Sequence, residues 1–265
     1  MRICSLSSGS KGNLIYVESE KSKVIIDCGL TGKLAESLIR SIGVDPGDLN
    51  GIFVTHEHTD HIKGVGIMSR RFDIPVIANE RTWLAMKNSI GKIDPKNIFV
   101  FKTNTYFSFR DLDIHAMSTF HDAADPVFYM FYEKDQKATV ITDTGTINDL
   151  MLDAIKDSSY YLFESNHDIE MLRLGPYSPS LKRRILSDHG HLSNVLAKES
   201  IAKIVKGRGE HVVLGHLSDE NNTDKIAFKE SYEKLSGMGL DVGKDVKLRV
   251  ASKFKADIVT DLGDL

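Results

Sequence analysis

The chain contains only two cysteines, Cys4 and Cys28, and they form neither a C-x-x-C pair nor another metal-binding or redox spacing. A disulfide-stabilised scaffold is therefore excluded, and both residues are best interpreted as small buried side chains in a reducing compartment. No apolar run approaches the ~20 residues of a membrane-spanning helix. The first residues show no secretory signal. We therefore expect a cytoplasmic protein.

The chain also lacks a basic excess, because its formal net charge is -3. The segment 181–210 is an exception: it carries seven basic and three acidic residues, which is a local net charge of +4. Such a segment is either a solvated helix face or a surface that faces phosphate groups. The composition leaves both interpretations open.

Internal repeats, low-complexity segments and linkers are absent, and 41% hydrophobic residues suffice for a sizeable core. Short strand-like runs such as 23–26 alternate with helical patterns such as 31–43, where Leu34, Leu38 and Ile39 share one face. This alternation occurs in two successive halves of the chain. We predict one α/β domain over residues 1–265, built as an αβ/βα sandwich of two facing mixed sheets with helices outside.

A dense cluster of histidines follows the apolar run 52–54, which is typical of a short buried strand. Three histidines and an aspartate lie within six residues there: His56, His58, Asp60 and His61. A loop in this position can turn the first two toward one point and the last two toward another. Imidazole nitrogen and carboxylate oxygen are ligands of zinc and manganese. The sequence therefore predicts a metal site at the end of this strand.

The motif His-x-His-x-Asp-His after a hydrophobic strand resembles the signature of the metallo-β-lactamase superfamily, in its two-metal hydrolase branch. Later strand ends match the remaining motifs of that family in the expected order. The resemblance implies a four-layer αβ/βα fold and two divalent ions, Mn²⁺ or Zn²⁺, with a hydroxide between them as the nucleophile. It implies that Asp27 supports the metal loop from behind, that Asp60 also orients the hydroxide, and that Asp143 lies between the ions. The implied metal ligands are His56, His58, Asp60, His61, His121, Asp143 and His216.

Glu164 follows a predicted strand, and His191 precedes a helix that Ser193 can cap. Cleavage of a phosphodiester releases an alkoxide that needs a proton, and a histidine backed by a carboxylate is a suitable general acid. In the ribonuclease Z relatives, a glutamate and a histidine at similar positions form such a pair. The resemblance therefore implies this catalytic role for Glu164 and His191.

Several further stretches extend the resemblance over nearly the whole chain. Segments 7–13, 164–168, 190–194 and 216–222 resemble the bacterial YycJ (WalJ) group. This group implies a metal-dependent exonuclease that digests DNA from the 5′ end, with manganese as the productive ion and a DNA end as the partner. A serine-glycine loop and two polar loops supply the candidate substrate contacts, which are Ser8, Ser10, Asn13, Asn166, His167 and Ser193.

Two alternatives stay open from the sequence. The same ions could serve a phosphodiesterase for cyclic nucleotides or other small diesters, or the metals could stabilise a non-catalytic regulatory module. A secreted β-lactamase is disfavoured because no signal is present. The helical extension of glyoxalase II and the flavin domain of flavo-diiron oxidases have no counterpart here.

Overall fold

The structure is a computed structural model that describes residues 1–264. Its strands are β1 (Arg2–Ser7), β2 (Leu14–Glu18), β3 (Lys23–Ile26), β4 (Gly51–Phe53), β5 (Val76–Asn79), β6 (Ile98–Phe101), β7 (Thr105–Phe109), β8 (Leu112–Ser118), β9 (Val127–Glu133), β10 (Gln136–Ile141), β11 (Tyr160–Glu164), β12 (Glu210–Gly215), β13 (Val246–Val250) and β14 (Thr260–Asp261). Its α-helices are α1 (Gly32–Ser41), α2 (Thr59–Ile62), α3 (Val65–Phe72), α4 (Glu80–Ile90), α5 (Asp149–Ile155), α6 (Ile169–Leu174), α7 (Pro179–Ile185), α8 (Asn194–Ile204) and α9 (Asp224–Gly237).

The described residues divide into two compact units. The first comprises Met1–Ser118, Ala123–Asp135 and Ser252–Asp264, and the second comprises Thr119–Asp122 and Gln136–Ala251. The single domain over residues 1–265 stays a prediction. Among residues 1–264, none of the helices is both long and apolar enough to cross a membrane.

The strands form two mixed sheets of seven strands each. The first sheet has the order β14-β1-β2-β3-β4-β5-β6 and lies in the first unit. Strands β3 to β6 run parallel, whereas β14, β1, β2 and β3 pair antiparallel. The second sheet has an antiparallel part, β7 to β9, in the first unit and a parallel part, β10 to β13, in the second.

Apolar residues bury both faces of the first sheet. On one face, Ile39 of α1, Met68 of α3 and Met86 of α4 belong to the same buried cluster as Ile52 and Val76 of the sheet. On the other face, the ring of Phe53 meets those of Phe107, Phe109 and Phe131 from the second sheet at 5.3–6.4 Å. Within the first unit, the first sheet therefore packs face to face against the antiparallel part of the second sheet, with α1, α3 and α4 on its other face. The two mixed seven-stranded sheets with helices confirm the predicted fold class.

In the second unit, helices cover the parallel strands. Helix α8 packs against α5 and α9, and α9 packs on β13. Ser193 caps α8 by accepting a hydrogen bond from the backbone N–H of Leu196, as predicted. Because β10, β11 and β12 are parallel, their carboxyl ends lie at one edge, and Asp143, Glu164 and His216 are at or just beyond those ends.

The structure corrects one detail of the metal loop. All four of its donors were expected in a loop, but Asp60 and His61 lie in the one-turn helix α2. The His58 carbonyl accepts hydrogen bonds from the backbone N–H groups of His61 and Ile62, which closes this turn.

Candidate metal centre

The first unit supplies four candidate ligands from the chain that runs from the end of β4 through α2. His56 and His61 are buried, while His58 and Asp60 are half-buried. His56 Nε2 lies 3.1 Å from His58 Nδ1, and His61 Nε2 lies 3.5 Å from the nearer Asp60 oxygen. The structure therefore brings two pairs of donors together, His56 with His58 and Asp60 with His61.

Asp27 lies behind this chain at the end of β3 and is itself buried. Its carboxylate accepts hydrogen bonds from the Thr55 backbone N–H at 2.8 Å, the Thr55 hydroxyl at 2.9 Å and His61 Nδ1 at 2.7 Å. Burial raises the pKa of Asp27, and the contacts with His61 and Thr55 offset part of that effect. A bond at Nδ1 leaves the Nε2 atom of His61 to face a metal.

Replacing Asp27 by asparagine tests this support. The amide nitrogen would face the donors of Thr55 and His61. We therefore expect metal binding to weaken by about 10–100-fold. We also expect a loss of about 1–3 kcal/mol in the free energy of unfolding. Metal titration against a chelator and urea unfolding measure the two effects. Asp73→Asn is the matched control, because Asp73 also has a left-handed φ but is exposed and paired with Lys96. Equal metal affinities of the Asp27 variant and wild type would exclude the supporting role.

The serine-glycine loop after β1 touches the same chain. The Asn13 backbone N–H donates to the Asp60 carbonyl at 2.8 Å, and Asn13 Nδ2 lies 3.1 Å from His61 Nε2. The close approach requires Gly29, since a Cβ there would lie 1.5 Å from the Asp60 carbonyl oxygen. This loop therefore positions the candidate ligands of α2.

The second unit supplies three more candidate ligands. His216 Nε2 and His121 Nε2 lie 3.4 and 3.7 Å from the same oxygen of Asp143, and all three residues are buried. The Gly190 carbonyl accepts a 3.0 Å hydrogen bond from His121 Nδ1, which fixes that ring. Burial is the main cause that lowers the pKa of His121. Two imidazoles converging on a carboxylate form a donor set that fits a divalent cation.

Glu164 and His191 lie beside these donors. Each of Asp143, Glu164, His191 and His216 has a ligand atom within 4.8 Å of the others. Glu164 is buried, and its two oxygens accept hydrogen bonds from His191 Nδ1 at 2.8 Å and from the Thr144 backbone N–H at 2.7 Å. Burial lowers the pKa of His191, but the charge and hydrogen bond of Glu164 raise it more, to about 8. The pair is thus built to hold a proton on the imidazole.

Three candidate ligands or supports have an unusual backbone. Asp27, Asp143 and His216 have φ values of 59°, 57° and 54°, in the left-handed region that non-glycine residues rarely adopt. Each follows a strand, and the turn of the chain there aims the side chain. The sequence carries no clear signal of these conformations, except that aspartate tolerates them better than most residues.

Five of the six predicted substrate contacts are buried. Ser8, Asn13, Asn166, His167 and Ser193 are at most 4% exposed, and only Ser10 is exposed. Asn166, for example, donates from Nδ2 to the His216 carbonyl at 2.8 Å. These side chains build the loops of the centre, and their contact with substrate stays a prediction.

The sequence analysis did not single out Asn222, which joins the loop after β11 to the start of α8. Its Nδ2 donates to the Ser165 and Asn166 carbonyls at 2.9 and 3.1 Å, and lies 2.8 Å from Asn194 Oδ1, which accepts. The only indication of this role in the sequence is the place of Asn222 in the polar stretch 216–222, which carries part of the family resemblance.

His167 has a distinct environment. It is 1% exposed, and within residues 1–264 neither ring nitrogen has a hydrogen-bond partner. Burial, and then the nearby His191, lower the pKa of His167 to about 4. The ring is therefore neutral at pH 7.

Acid should destabilise the metal-free protein through His167. The unfolded chain takes up a proton below its ordinary pKa of about 6.5, but the folded chain does so only near 4, so stability is lost as pH falls through this interval, by about 3 kcal/mol. We expect His167→Leu to show a smaller fall in the free energy of unfolding between pH 7 and 4. Urea titrations at both pH values measure the free energy of unfolding. His189→Leu is the control, because His189 is exposed. The same fall in wild type and the His167 variant would exclude this effect.

The basic segment 181–210 is partly neutralised by acidic residues from outside it. Ion pairs involve four of its seven basic residues: Arg184 with Asp122, Lys198 with Glu230, and both Lys206 and Arg208 with Asp157. This pairing favours the interpretation as a solvated face rather than a continuous phosphate-facing surface.

The fold and the order of the donors are reflected in comparisons with known proteins. The family model described as metallo-beta-lactamase superfamily matches residues 8–216, a range that contains every candidate metal ligand. The chain belongs to the metallo-β-lactamase superfamily.

Individual proteins of the superfamily show a closer similarity to this chain over most of its length. The chain is 43% identical to exodeoxyribonuclease YycJ of Bacillus anthracis over 90% of both chains. It is 41% identical to exodeoxyribonuclease WalJ of Streptococcus pneumoniae, over 97% of this chain and 96% of that protein. Among solved structures, the metallo-beta-lactamase fold protein YhfI of Bacillus subtilis superposes with a TM-score of 0.71 at 12% identity, covering 97% of this chain and 98% of that one. That likeness concerns the fold alone.

Proposed function

We propose that this chain is a metal-dependent phosphodiester hydrolase that digests DNA from the 5′ end. The observation that carries the proposal is the His191–Glu164 hydrogen bond beside the donors Asp143 and His216. A proton donor next to a candidate metal site is what cleavage of a phosphodiester requires. The similarity to YycJ and WalJ, both named exodeoxyribonuclease, supports DNA as the substrate.

The residues present fit two divalent ions, and manganese or zinc suits their imidazole and carboxylate donors. We assign His56, His58 and His121 to one ion, Asp60, His61 and His216 to the other, and Asp143 to both, following the order of the family motifs. When bound, such ions supply positive charge and an activated water for attack on phosphorus.

The protein residues then have separate tasks. Glu164 holds Nδ1 of His191, so the opposite nitrogen of the ring, Nε2, carries the proton that the leaving oxygen receives. We assign to Asp60, which is half-buried beside His61, the orientation of the attacking water. Asp27 and Asn13 hold the chain that bears Asp60 and His61, and Ser10 is the exposed candidate for a phosphate contact.

Linear duplex DNA labelled at the 5′ or at the 3′ end tests the proposal. We expect manganese-loaded protein to release the 5′ label as a mononucleotide, while the 3′ label stays on a shortening strand. Protein treated with a chelator is the control. Hydrolysis of bis(4-nitrophenyl) phosphate or a cyclic nucleotide without digestion of DNA would instead indicate a small-molecule phosphodiesterase. No hydrolysis of any of them, with metal bound, would indicate a regulatory module.

A further inference from the structure

A groove on α9 displays two aromatic side chains to solvent. We call it the α9 groove; it has a volume of about 500 Å³ and is lined by Asp224, Lys225, Phe228, Lys229, Tyr232 and Val250. Phe228 and Tyr232 are 36% and 43% exposed, and their rings stack with centroids 5.9 Å apart and planes 22° apart. Rings that helix packing would normally bury are here accessible.

The α9 groove lies at the same sheet edge as His216. Val250 ends β13 and is the register partner of Leu214 on β12, and the Ala251 backbone N–H continues the pairing to the Leu214 carbonyl at 2.8 Å. Gly215 ends β12 and His216 follows it, so β13 ends at the same edge of the second sheet as the turn that carries His216. A ligand in the groove would therefore lie at the sheet edge that also carries His216.

The lining of the α9 groove is mainly apolar and carries two lysines against one aspartate. Lys225 forms no ion pair with any residue in 1–264, and Lys229 has only a 3.7 Å contact with Glu233. The single acidic lining residue, Asp224, lies in the first turn of α9, where the helix dipole partly offsets its charge. Aromatic rings with flanking ammonium groups are the combination that binds single-stranded nucleic acid by base stacking and phosphate contact.

We propose that the α9 groove binds unpaired bases of a DNA strand next to the bond that is cut. Phe228 and Tyr232 provide the stacking surface, and Lys225 contacts a neighbouring phosphate. This inference rests on the proposed function, since it names the part of the nucleic acid held outside the metal centre. An apolar protein segment would use the rings but not the unpaired ammonium group of Lys225.

Binding of a labelled 12-nucleotide single strand to chelator-treated protein tests the groove without hydrolysis. We expect Phe228→Ala/Tyr232→Ala to raise Kd by about tenfold or more, because each stacked base contributes substantially to affinity. An abasic strand of equal charge should bind the double variant and wild type alike. Tyr106→Ala, which removes a 68% exposed ring of the first unit, is the control. Phe228→Trp should retain affinity, and Lys225→Ala should lower the salt dependence by about one phosphate contact.

The outcomes separate the two proposals. If wild type digests DNA and the folded double variant binds and digests DNA equally well, the groove proposal is overturned while the function stands. If wild type binds the strand through Phe228 and Tyr232 but hydrolyses no DNA, the proposed function fails and the groove is a binding site alone. If abasic and normal strands lose the same affinity in the double variant, stacking is excluded.

Discussion

His191→Ala is expected to slow DNA digestion by about 10²–10⁴-fold, the usual contribution of a general acid, while metal binding is retained. The reason is geometric: Glu164 is locked by Thr144 and by His191, so His191 is the member of the pair that can present a proton to the leaving oxygen. Single-turnover digestion of a labelled duplex measures the rate, and elemental analysis measures the metal content.

The leaving group provides a sharper test of the same role. In a 4-nitrophenyl ester of a nucleotide, the leaving group is 4-nitrophenolate, which departs without needing a proton. The His191 variant should therefore hydrolyse this ester at nearly the wild-type rate. His189→Ala is the control, because His189 is an exposed neighbour in the same loop. Equal losses of rate on DNA and on the nitrophenyl ester would contradict the general-acid role and point to damage at the metal site.

Asp143→Asn is expected to lower activity by about 10³-fold or more, because we propose that the Asp143 carboxylate holds both metal ions. Asp143 Oδ1 lies within 3.7 Å of ring nitrogens of His121, His191 and His216, so the change affects all three histidines. The number of ions bound per chain should fall below two, and calorimetric titration with manganese measures this. Asparagine tolerates a left-handed φ, so the backbone should survive.

Asp157→Asn is the matched control for this variant. Asp157 is a second aspartate of the same unit with a left-handed φ, 61°, but it is exposed and paired with Lys206. The Asp157→Asn variant should bind metal and digest DNA like wild type. A variant of Asp143 that keeps both ions and full activity would remove Asp143 from the proposed ligands.

Much of the fold could be predicted because local signals were strong. Strand β3 has the predicted bounds, and helix α1 lies within the predicted range 31–43. The Asn79 cap at the start of α4 is of the residue type that favours helix initiation. Helix α2 was missed because four residues carry no helical period. Strand β14 was missed because two residues become a strand only through pairing with β1, over 250 positions earlier in the chain.

The candidate site was only partly predictable. Residue types and their order indicate which side chains can bind metal, and the structure shows that several of them converge within each unit. Burial of Asn13, Asn166 and His167 could not be inferred, because a polar residue in a loop is equally compatible with a surface contact and with a satisfied internal hydrogen bond. The exposure of the two rings on α9 could likewise not be predicted, since their helical spacing alone suggests a packed face.

The left-handed backbone at Asp27, Asp143 and His216 limits how the centre can be redesigned. A β-branched residue at any of these positions meets a steric penalty before its chemistry matters. In a saturation library, threonine, valine and isoleucine should therefore be lost at all three positions, whereas asparagine and glycine should survive as folded protein. Attempts to exchange the metal preference at Asp143 or His216 are consequently restricted to a short list of residues that the chain geometry accepts.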